Sequence, residues 1–503
     1  MPLLVVMHKA KSASMGPPTI LTLLVLLISA TYTVASDPSI EEMQLYFQEN
    51  LSQGSETYVP YQSNYTAEIT QPWNALNPPT YRLAVKPAMT ADLPIIIQYA
   101  GQHGIPFLAR GAGHGFTTST SVVTLGINID LGFFNHVEID AHNNLLRIGG
   151  SVTFGDVFDL LYAAGKEVPT GYCSCVGMVG ATLGGGIGPL QGLYGLISDA
   201  LVSVTMVVGT GDILTISDTE NVDLFWAIRG AGANFGIVTS ATYKIHDLTN
   251  QGMVLSADFI FPAPLNQTVF QMLDSYSNNI PDEFAAAVSM LQEPTLEQPI
   301  IMVSTYFFGS AEEGMRYNQP FLDIGPTVQN ISVRPWNLLA KESRFGVDEI
   351  GCMKGNEYSM FGTNMYSLES SVLSDVFGSL TELYSKYPQL QGTLLAIELH
   401  PKRFTMSEPS GQTAYAYRNT TAYSFLSIRL PDASFEPLAV SEGRRIRQML
   451  ATGSGNPELE TYVNYAHGDE GPAAWYSVKT LPRLRELKRV WDPQGIFGFY
   501  NPI

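Results

Sequence analysis

Arg110-Gly111-Ala112-Gly113-His114-Gly115 and, further along, Cys173-Ser174-Cys175-Val176-Gly177 running on through Gly180, Gly184, Gly185, Gly186 and Gly188 are the stretches that decide the fold. Glycines at this density leave backbone N–H groups uncovered and let a ligand approach the chain closely. The first loop is not the dinucleotide fingerprint G-x-G-x-x-G, because its third glycine comes one residue early and no helix obviously starts there. A nicotinamide Rossmann site is therefore disfavoured. The second cluster is too dense for a strand or helix core and again suggests a ligand against the backbone. Its interleaved Val176, Met178, Val179, Leu183 and Ile187 predict a buried stretch rather than a flexible surface loop.

Working outward, residues 37–78 read as a polar leader. The chain from Pro79 then reads as strand, helix, strand: Tyr81 to Lys86, Thr90 as N-cap with Asp92 in the first turn, an apolar-faced helix to Gln102, and Ile105 to Leu108. A second crossover unit is expected from strand Leu145 to Ile148 and a helix carrying Phe154, Val157, Phe158, Leu160 and Leu161 before Gly165. Val202 to Val208 and Ile213 to Ile216 flank a hairpin turn at Gly209 to Asp212, and Gly236 to Ile245 is one more strand. From about 248 to 450 longer strand-like runs, such as Thr393 to Leu399 and Ala422 to Leu430, alternate with helical stretches and predict a mixed or antiparallel sheet against helices. The tail, 451–503, contains a helix from Leu481 to Trp491 with Thr480 as its cap, stopped by Asp492 and Pro493.

Composition sets outer bounds. A chain of 503 residues with 45% hydrophobic and 15% charged content is globular and too long for one core. Lys and Arg total 27 against 46 Asp and Glu; a formal charge of −19 repels polyphosphate and anionic lipid, so neither nucleic acid nor a membrane surface is an expected partner. Residues 1–36 contain no acid, carry Lys9 and Lys11, run apolar from Ile20 to Ala30 and end on Val34, Ala35, Ser36, which reads as a secretory signal peptide. The apolar block is shorter than the roughly 18 to 20 residues that span a bilayer. Glycosylation triplets begin at Asn50, Asn64, Asn266, Asn330 and Asn419, in keeping with a secreted or secretory-pathway protein, a vesicle or vacuole included. Only Cys173, Cys175 and Cys352 are present, so no disulfide framework is expected, and a bridge between Cys173 and Cys175 would be badly strained. They read as local chemistry rather than staples. No metal site is expected.

The sequence resembles the berberine bridge enzyme-like oxidoreductases of the vanillyl-alcohol oxidase (PCMH-type) flavoprotein fold. The resemblance rests on Arg110 to His114, on Cys173 to Gly188, on Tyr194-Gly195-Leu196 with Asp199, and on Asp223 to Gly230 leading to Asn234-Phe235-Gly236-Ile237-Val238-Thr239. Tyr462, Asn464, Tyr465, Asp492-Pro493 and Phe497 extend it to the C-terminus. It implies an α+β protein: a two-subdomain FAD-binding domain at 79–247, a substrate domain at 248–450, and a C-terminal segment returning to the FAD domain. It also implies FAD held by the loop Arg110 to Gly115, by Gly177, Gly180, Gly184 and Gly185, and by Asp199, Ile237, Val238 and Asn464. His114 would bond to the 8α carbon of the isoalloxazine. Cys173 falls where bicovalent members bond sulfur to flavin C6; a small buried apolar side chain is the other reading of that residue. Val176 occupies the position that resembles their oxygen gate and is compatible with an oxidase rather than a dehydrogenase. Cys175 is an extra thiol, and Ala181 stands where many relatives have histidine.

Hydride removal in this fold needs a base for the accompanying proton. Treated as a strand, Tyr462 to Tyr465 sends Tyr462 and Asn464 to one face and Tyr465 to the other. Tyr462 is the first candidate for the base and Tyr465 the second. Some relatives place a glutamate or glutamine on the strand matching Ala422 to Leu430, where this chain offers only Tyr423, Ser427 and Arg429. The expectation is a secreted oxidase of secondary metabolism that passes a hydride from a small organic metabolite to FAD and releases hydrogen peroxide from O2, as a monomer or weak homo-oligomer. Oxidative cyclisation of a polyketide or alkaloid-like intermediate begins with the same step, and a flavin- or ligand-binding glycoprotein without turnover is the alternative from another class.

Overall fold

In the four-stranded sheet that opens the fold, Tyr81–Lys86 and Phe107–Arg110 both pair in parallel with Gly126–Asp130, and Glu56–Tyr58 adds an antiparallel edge to Tyr81–Lys86. The helix Asp92–His103 makes the crossover and buries Leu93, Ile96, Ile97 and Ala100. The computed structural model describes residues 37–277, 279–293, 297–407, 411–456 and 458–503; the signal-peptide reading of 1–36 lies outside them. No helix among the described residues is long and apolar enough to cross a membrane.

Local chemistry corrects several boundaries. The second strand of the crossover starts at Phe107, not Ile105: Gly104 closes the helix in the left-handed region, Ile105 still donates to Ala100 O, and Pro106 has no N–H for a ladder. Thr90 is not the cap. Ala91 holds that position, while the Asp92 carboxylate accepts from Met89 N, Ser52 N and Ser55 Oγ, and Thr90 bonds to Thr239. Thr480 precedes the helix Leu481–Trp491, but its side chain makes no capping bond. The leader contains a helix, Ile40–Asn50, started by a Ser39–Glu42 capping box and anchored by Met43 and Phe47.

The second unit is antiparallel throughout and not another parallel crossover. Its five strands are ordered Val137–Asp140, Leu145–Gly149, Gly236–Lys244, Leu201–Val208, Ile213–Ser217. The helix Phe154–Ala163 does follow Leu145–Gly149, with Thr153 capping it, but the chain then leaves for a separate two-stranded ribbon, Lys166–Glu167 against His246–Asp247. Phe154, Val157 and Leu161 seal this sheet together with Leu224, Ile228 and Leu484 from later helices.

A seven-stranded sheet, antiparallel at every pairing, forms the other side. Its order is Val328–Pro335, Met253–Pro262, Gln298–Phe307, Phe284–Glu293, Leu394–Leu399, Ala422–Leu430, Glu357–Met365. Helices Asn266–Tyr276, Ala311–Ile324, Ser370–Lys386 and Glu436–Thr452 bury apolar stripes against one face. The opposite face carries polar side chains: Glu398, Tyr423 and Tyr306 come from its strands and His400 from just beyond one.

Candidate active site

The site grows from the loop Arg110–Gly115, which leaves the parallel sheet at the end of Phe107–Arg110. Two glycines are dictated by crowding: a Cβ at Gly111 would lie 2.8 Å from Gly150 O, and Gly113, at φ +77°, would bring one 2.7 Å from Gln71 O. Arg110 turns back into the protein, donating to Thr70 O and to the Tyr81 hydroxyl. What the loop offers outward is backbone. The N–H groups of Gly111, Ala112, Gly113 and Gly115 donate to no acceptor among the described residues, a run of unspent donors suited to an anion. Ala112 meets Gly177, where an added Cβ would be 3.1 Å from the alanine's own, so the two glycine-rich stretches touch.

That second stretch is more regular than its composition suggests. Gly177 caps a short helix, Met178–Leu183, with Gly180 inside it, and Gly184 and Gly185 follow as a buried turn. Val176 ends the tight turn from Cys173, donating to Cys173 O, and its own carbonyl accepts from Phe154 N. Ile237 and Val238 are buried in strand Gly236–Lys244, whose Thr239 O accepts from Gly150 N behind the loop. Both oxygens of Asp199 are taken within the protein, by Arg418 at 2.7 and 3.1 Å and by Leu196 N at 3.0 Å.

His114 lies flat against Trp73, ring centroids 4.6 Å apart. Its Nε2 is buried with no hydrogen-bond partner among the described residues, and burial lowers the ring's pKa to about 4, so the imidazole is neutral at physiological pH. Such a nitrogen is costly unless another group takes it up. A His114 ring nitrogen and the sulfurs of Cys173 and Cys175 lie within 4.8 Å of one another. This neighbourhood corrects the cysteine reading: Cys175 is bonded to Cys352, with Cα atoms 5.7 Å apart and 177 residues between them, so two of the three cysteines are a staple. Cys173 is the free thiol. Burial and the Asp348 carboxylate push its pKa up to about 12.

Segment 348–356 covers this edge like a clasp. Asp348 accepts from Ser174 N and Oγ, Gly351 O accepts from Trp73 Nε1, and Lys354 Nζ donates to Ala112 O. Phe116 links the edge to the next group: its ring is 5.9 Å from His114 and stacks at 5.6 Å on Tyr465.

Tyr462–Tyr465 is not a strand. Val463–Tyr465 forms a 3-10 turn, in which residues three apart eclipse, so Tyr462 and Tyr465 share a side with ring centroids 5.0 Å apart. Their hydroxyls differ. Tyr462 accepts from Gly186 N at 3.1 Å and from Asn464 Nδ2 at 2.7 Å, and Asn464 also donates to Ala181 O. Tyr465 donates to Glu398 Oε2 at 3.0 Å. Burial raises both phenols, and the Glu398 carboxylate adds to each, to Tyr465 also through their hydrogen bond. Glu398, 7% exposed, is the carboxylate absent from Ala422–Leu430; it sits on the neighbouring strand directly opposite Tyr423. Sequence reading missed it, although one glutamate inside the buried run Leu394–Leu399 is a signal in its own right. Also missed were His400, whose buried ring nitrogens have no hydrogen-bond partner among the described residues and whose Nε2 is 3.9 Å from Glu398, and Tyr172, whose ring stacks on His400 and whose hydroxyl has none.

The family model for an FAD binding domain matches residues 81–217, and that described as berberine and berberine like matches 461–503. The chain is 39% identical over 469 residues to the FAD-linked oxidoreductase azaL of Aspergillus niger, covering 92% of this chain and 99% of that one. It is also 39% identical over 438 residues to the FAD-linked oxidoreductase srdI of Neurospora crassa, covering 86% and 87%. Among solved structures, BBE-like 1 of Physcomitrella patens superposes with a TM-score of 0.80 at 21% identity over 92% of this chain and 99% of that one. Xylooligosaccharide oxidase of Myceliophthora thermophila gives 0.78 at 21%, covering 93% and 99%.

Proposed function

From the premise that the chain belongs to the berberine bridge enzyme-like, PCMH-type FAD-dependent oxidoreductases, we propose that it oxidises a small oxygenated metabolite, with FAD bonded to His114 and the Tyr465–Glu398 pair taking the substrate's proton. Bound FAD supplies the hydride acceptor and, with O2 as the final oxidant, makes the protein an oxidase.

The observation that carries the reading is the buried, neutral, partnerless Nε2 of His114 beside the unspent N–H groups of Gly111 to Gly113. A neutral imidazole is a nucleophile and an imidazolium is not. Trp73 fixes its plane, and the loop N–H groups are placed for the pyrophosphate. Cys173, left free by the Cys175–Cys352 bridge, is the candidate for a second bond.

Tyr465 is favoured over Tyr462 as the proton acceptor. The Tyr462 oxygen already accepts two hydrogen bonds, whereas Tyr465 passes its own proton to Glu398 as it receives one from a substrate hydroxyl. Burial holds the Tyr465 pKa well above its ordinary value, so the phenol keeps its proton at rest and donates it to Glu398 Oε2. Val176 is kept as the residue controlling oxygen access.

Secretion is part of the proposal. A disulfide persists in an oxidising compartment, and Asn50, Asn64, Asn330 and Asn419 are exposed, with Asn266 half-buried. The test is to precipitate purified protein in acid and map its peptides by mass. Flavin on the His114 peptide, with anaerobic bleaching by a metabolite and recolouring in air, supports the reading. Free FAD in the supernatant overturns the covalent link, and no bleaching across alcohols, phenols and amines overturns turnover.

A further inference from the structure

Three sulfurs meet on the clasp. Cys173 Sγ lies 3.4 Å from Cys175 Sγ and 3.6 Å from Cys352 Sγ, while the latter two are bonded to each other. Ser174 between the first two is pinned through N and Oγ to Asp348, so both neighbouring side chains are held against the turn that carries Cys352. A free thiol in contact with both atoms of a disulfide is the arrangement from which exchange proceeds.

We propose that Cys352 is a positioning residue for flavin attachment: it can bridge to Cys175 or to Cys173, and only the bridge to Cys175 leaves Cys173 free to bond the flavin. In the exchange, the Cys173 thiolate attacks Cys352 Sγ, the Cys175–Cys352 bond breaks, and Cys175 leaves as a thiolate and takes up the proton that Cys173 released. Electrons balance without an external oxidant or reductant. The direct Cys173–Cys175 bridge is excluded by strain at a spacing of two residues, so Cys352 is the pivot.

Burial slows the exchange, because a thiol pushed up to about 12 has little thiolate at neutral pH. The thiolate fraction rises about tenfold per pH unit below that value, so exchange in protein whose Cys173 carries no flavin should be about 100-fold faster two pH units above neutrality. Once Cys173 is bonded to flavin the pairing is fixed. This consequence rests on the flavin reading above; the pairing itself does not.

The experiment is non-reducing peptide mapping after an acid quench and N-ethylmaleimide alkylation, on wild-type protein and on Cys175→Ser, with Cys175→Val as a second variant should serine fail to fold. Wild type is expected to show Cys175–Cys352, with Cys173 carrying flavin or maleimide. In the variant, made in a secretory host whose disulfide-forming oxidoreductases take the two electrons released by the two thiols, most molecules should show Cys173–Cys352, with flavin on His114 alone and the corresponding change in the flavin absorption spectrum. Finding Cys173 and Cys352 both alkylated, or Cys173 still carrying flavin beside a free Cys352, overturns the proposal. The His114 peptide in the same digest reports the flavin reading separately: its lack of flavin would sink that reading while the bridge pattern still decides this one.

Discussion

The two ends of the active site are built differently. At the attachment edge, the groups that would hold the cofactor are consecutive in the chain: Gly111 to Gly115 supply the free N–H groups and the neutral His114. At the sheet face proposed to meet the substrate, the groups come from segments far apart: Tyr172 from a bend, Glu398 and His400 from a strand and its end, Tyr465 from the C-terminal 3-10 turn. A consecutive site is specified by local backbone conformation. A dispersed one exists only once sheet order and register are set, and it can vary one residue at a time without disturbing the cofactor.

If that division holds, the largest effect should come from the dispersed end with nothing lost at the other. Glu398→Gln is expected to lower the rate of anaerobic flavin reduction by about 10²- to 10⁴-fold, with flavin still on the His114 peptide. Tyr465→Phe should do the same, and the double variant should be no slower than the worse single, since the two act as one unit. A double variant whose loss is the product of the singles would break the pair into independent residues.

The second effect concerns the seam. Asp199, from the FAD side, and Arg418, from the loop before Ala422–Leu430, form a buried two-pronged pair with side chains 5% and 10% exposed. Arg418→Met leaves the carboxylate uncompensated and should cost about 3–5 kcal/mol of stability. Adding Asp199→Asn should restore much of that loss, as measured by urea denaturation. Full additivity of the two substitutions would show that the pair is not what joins the sides here.

This difference also explains what was legible in the sequence. The glycine-rich loop and the strands of the seven-stranded sheet could be read because each declares itself locally, by glycine density or by alternation, whereas the sheet stayed mixed or antiparallel until its pairing was seen, and the role given to His114 came from the family resemblance. Glu398 could not be placed, because its partner Tyr465 lies 67 residues away and the strand opposite it had to be known first. The Cys175–Cys352 bridge spans 177 residues and was invisible for the same reason. Period two sends Tyr462 and Tyr465 to opposite faces, but a 3-10 turn brings residues three apart to one side, and no local pattern in Tyr462 to Tyr465 distinguishes the two. Thr90 and Thr480 stand at helix starts without a capping bond: the Thr90 hydroxyl has a tertiary partner in Thr239, while Thr480 has helical rather than extended dihedrals and Pro482 in the first turn has no N–H to offer it.

A smaller effect sharpens the attachment edge through pH. Attachment needs neutral imidazole, and burial lowers the His114 pKa from 6.5 to about 4. The neutral form therefore dominates down to about pH 5, where an ordinary histidine would be mostly protonated and inert. Flavin-free protein mixed with FAD should thus form the adduct at nearly the same rate from about pH 8 to pH 5 and slow only as pH falls through about 4. A rate that halves near pH 6.5 would mean that His114 is solvated before FAD binds and that the edge is not preformed.

The smallest expected effect lies farthest from both ends. Asn330 is exposed on Val328–Pro335, an edge strand of the seven-stranded sheet, opposite Asp258 of the adjacent strand. A glycan there would cover an edge whose outer N–H and C=O groups are otherwise a template for another strand. Asn330→Gln in protein made by a eukaryotic secretory host should lower the mass by one glycan, leave flavin content and turnover unchanged, and increase self-association on concentration. The first change reads the route the protein takes through the cell, and the last reads what the sugar does at the edge. A turnover that falls with the glycan would instead mean that the outer edge of the sheet communicates with Glu398 four strands away, and the substrate face would then be a property of the whole sheet rather than of the few side chains that line it.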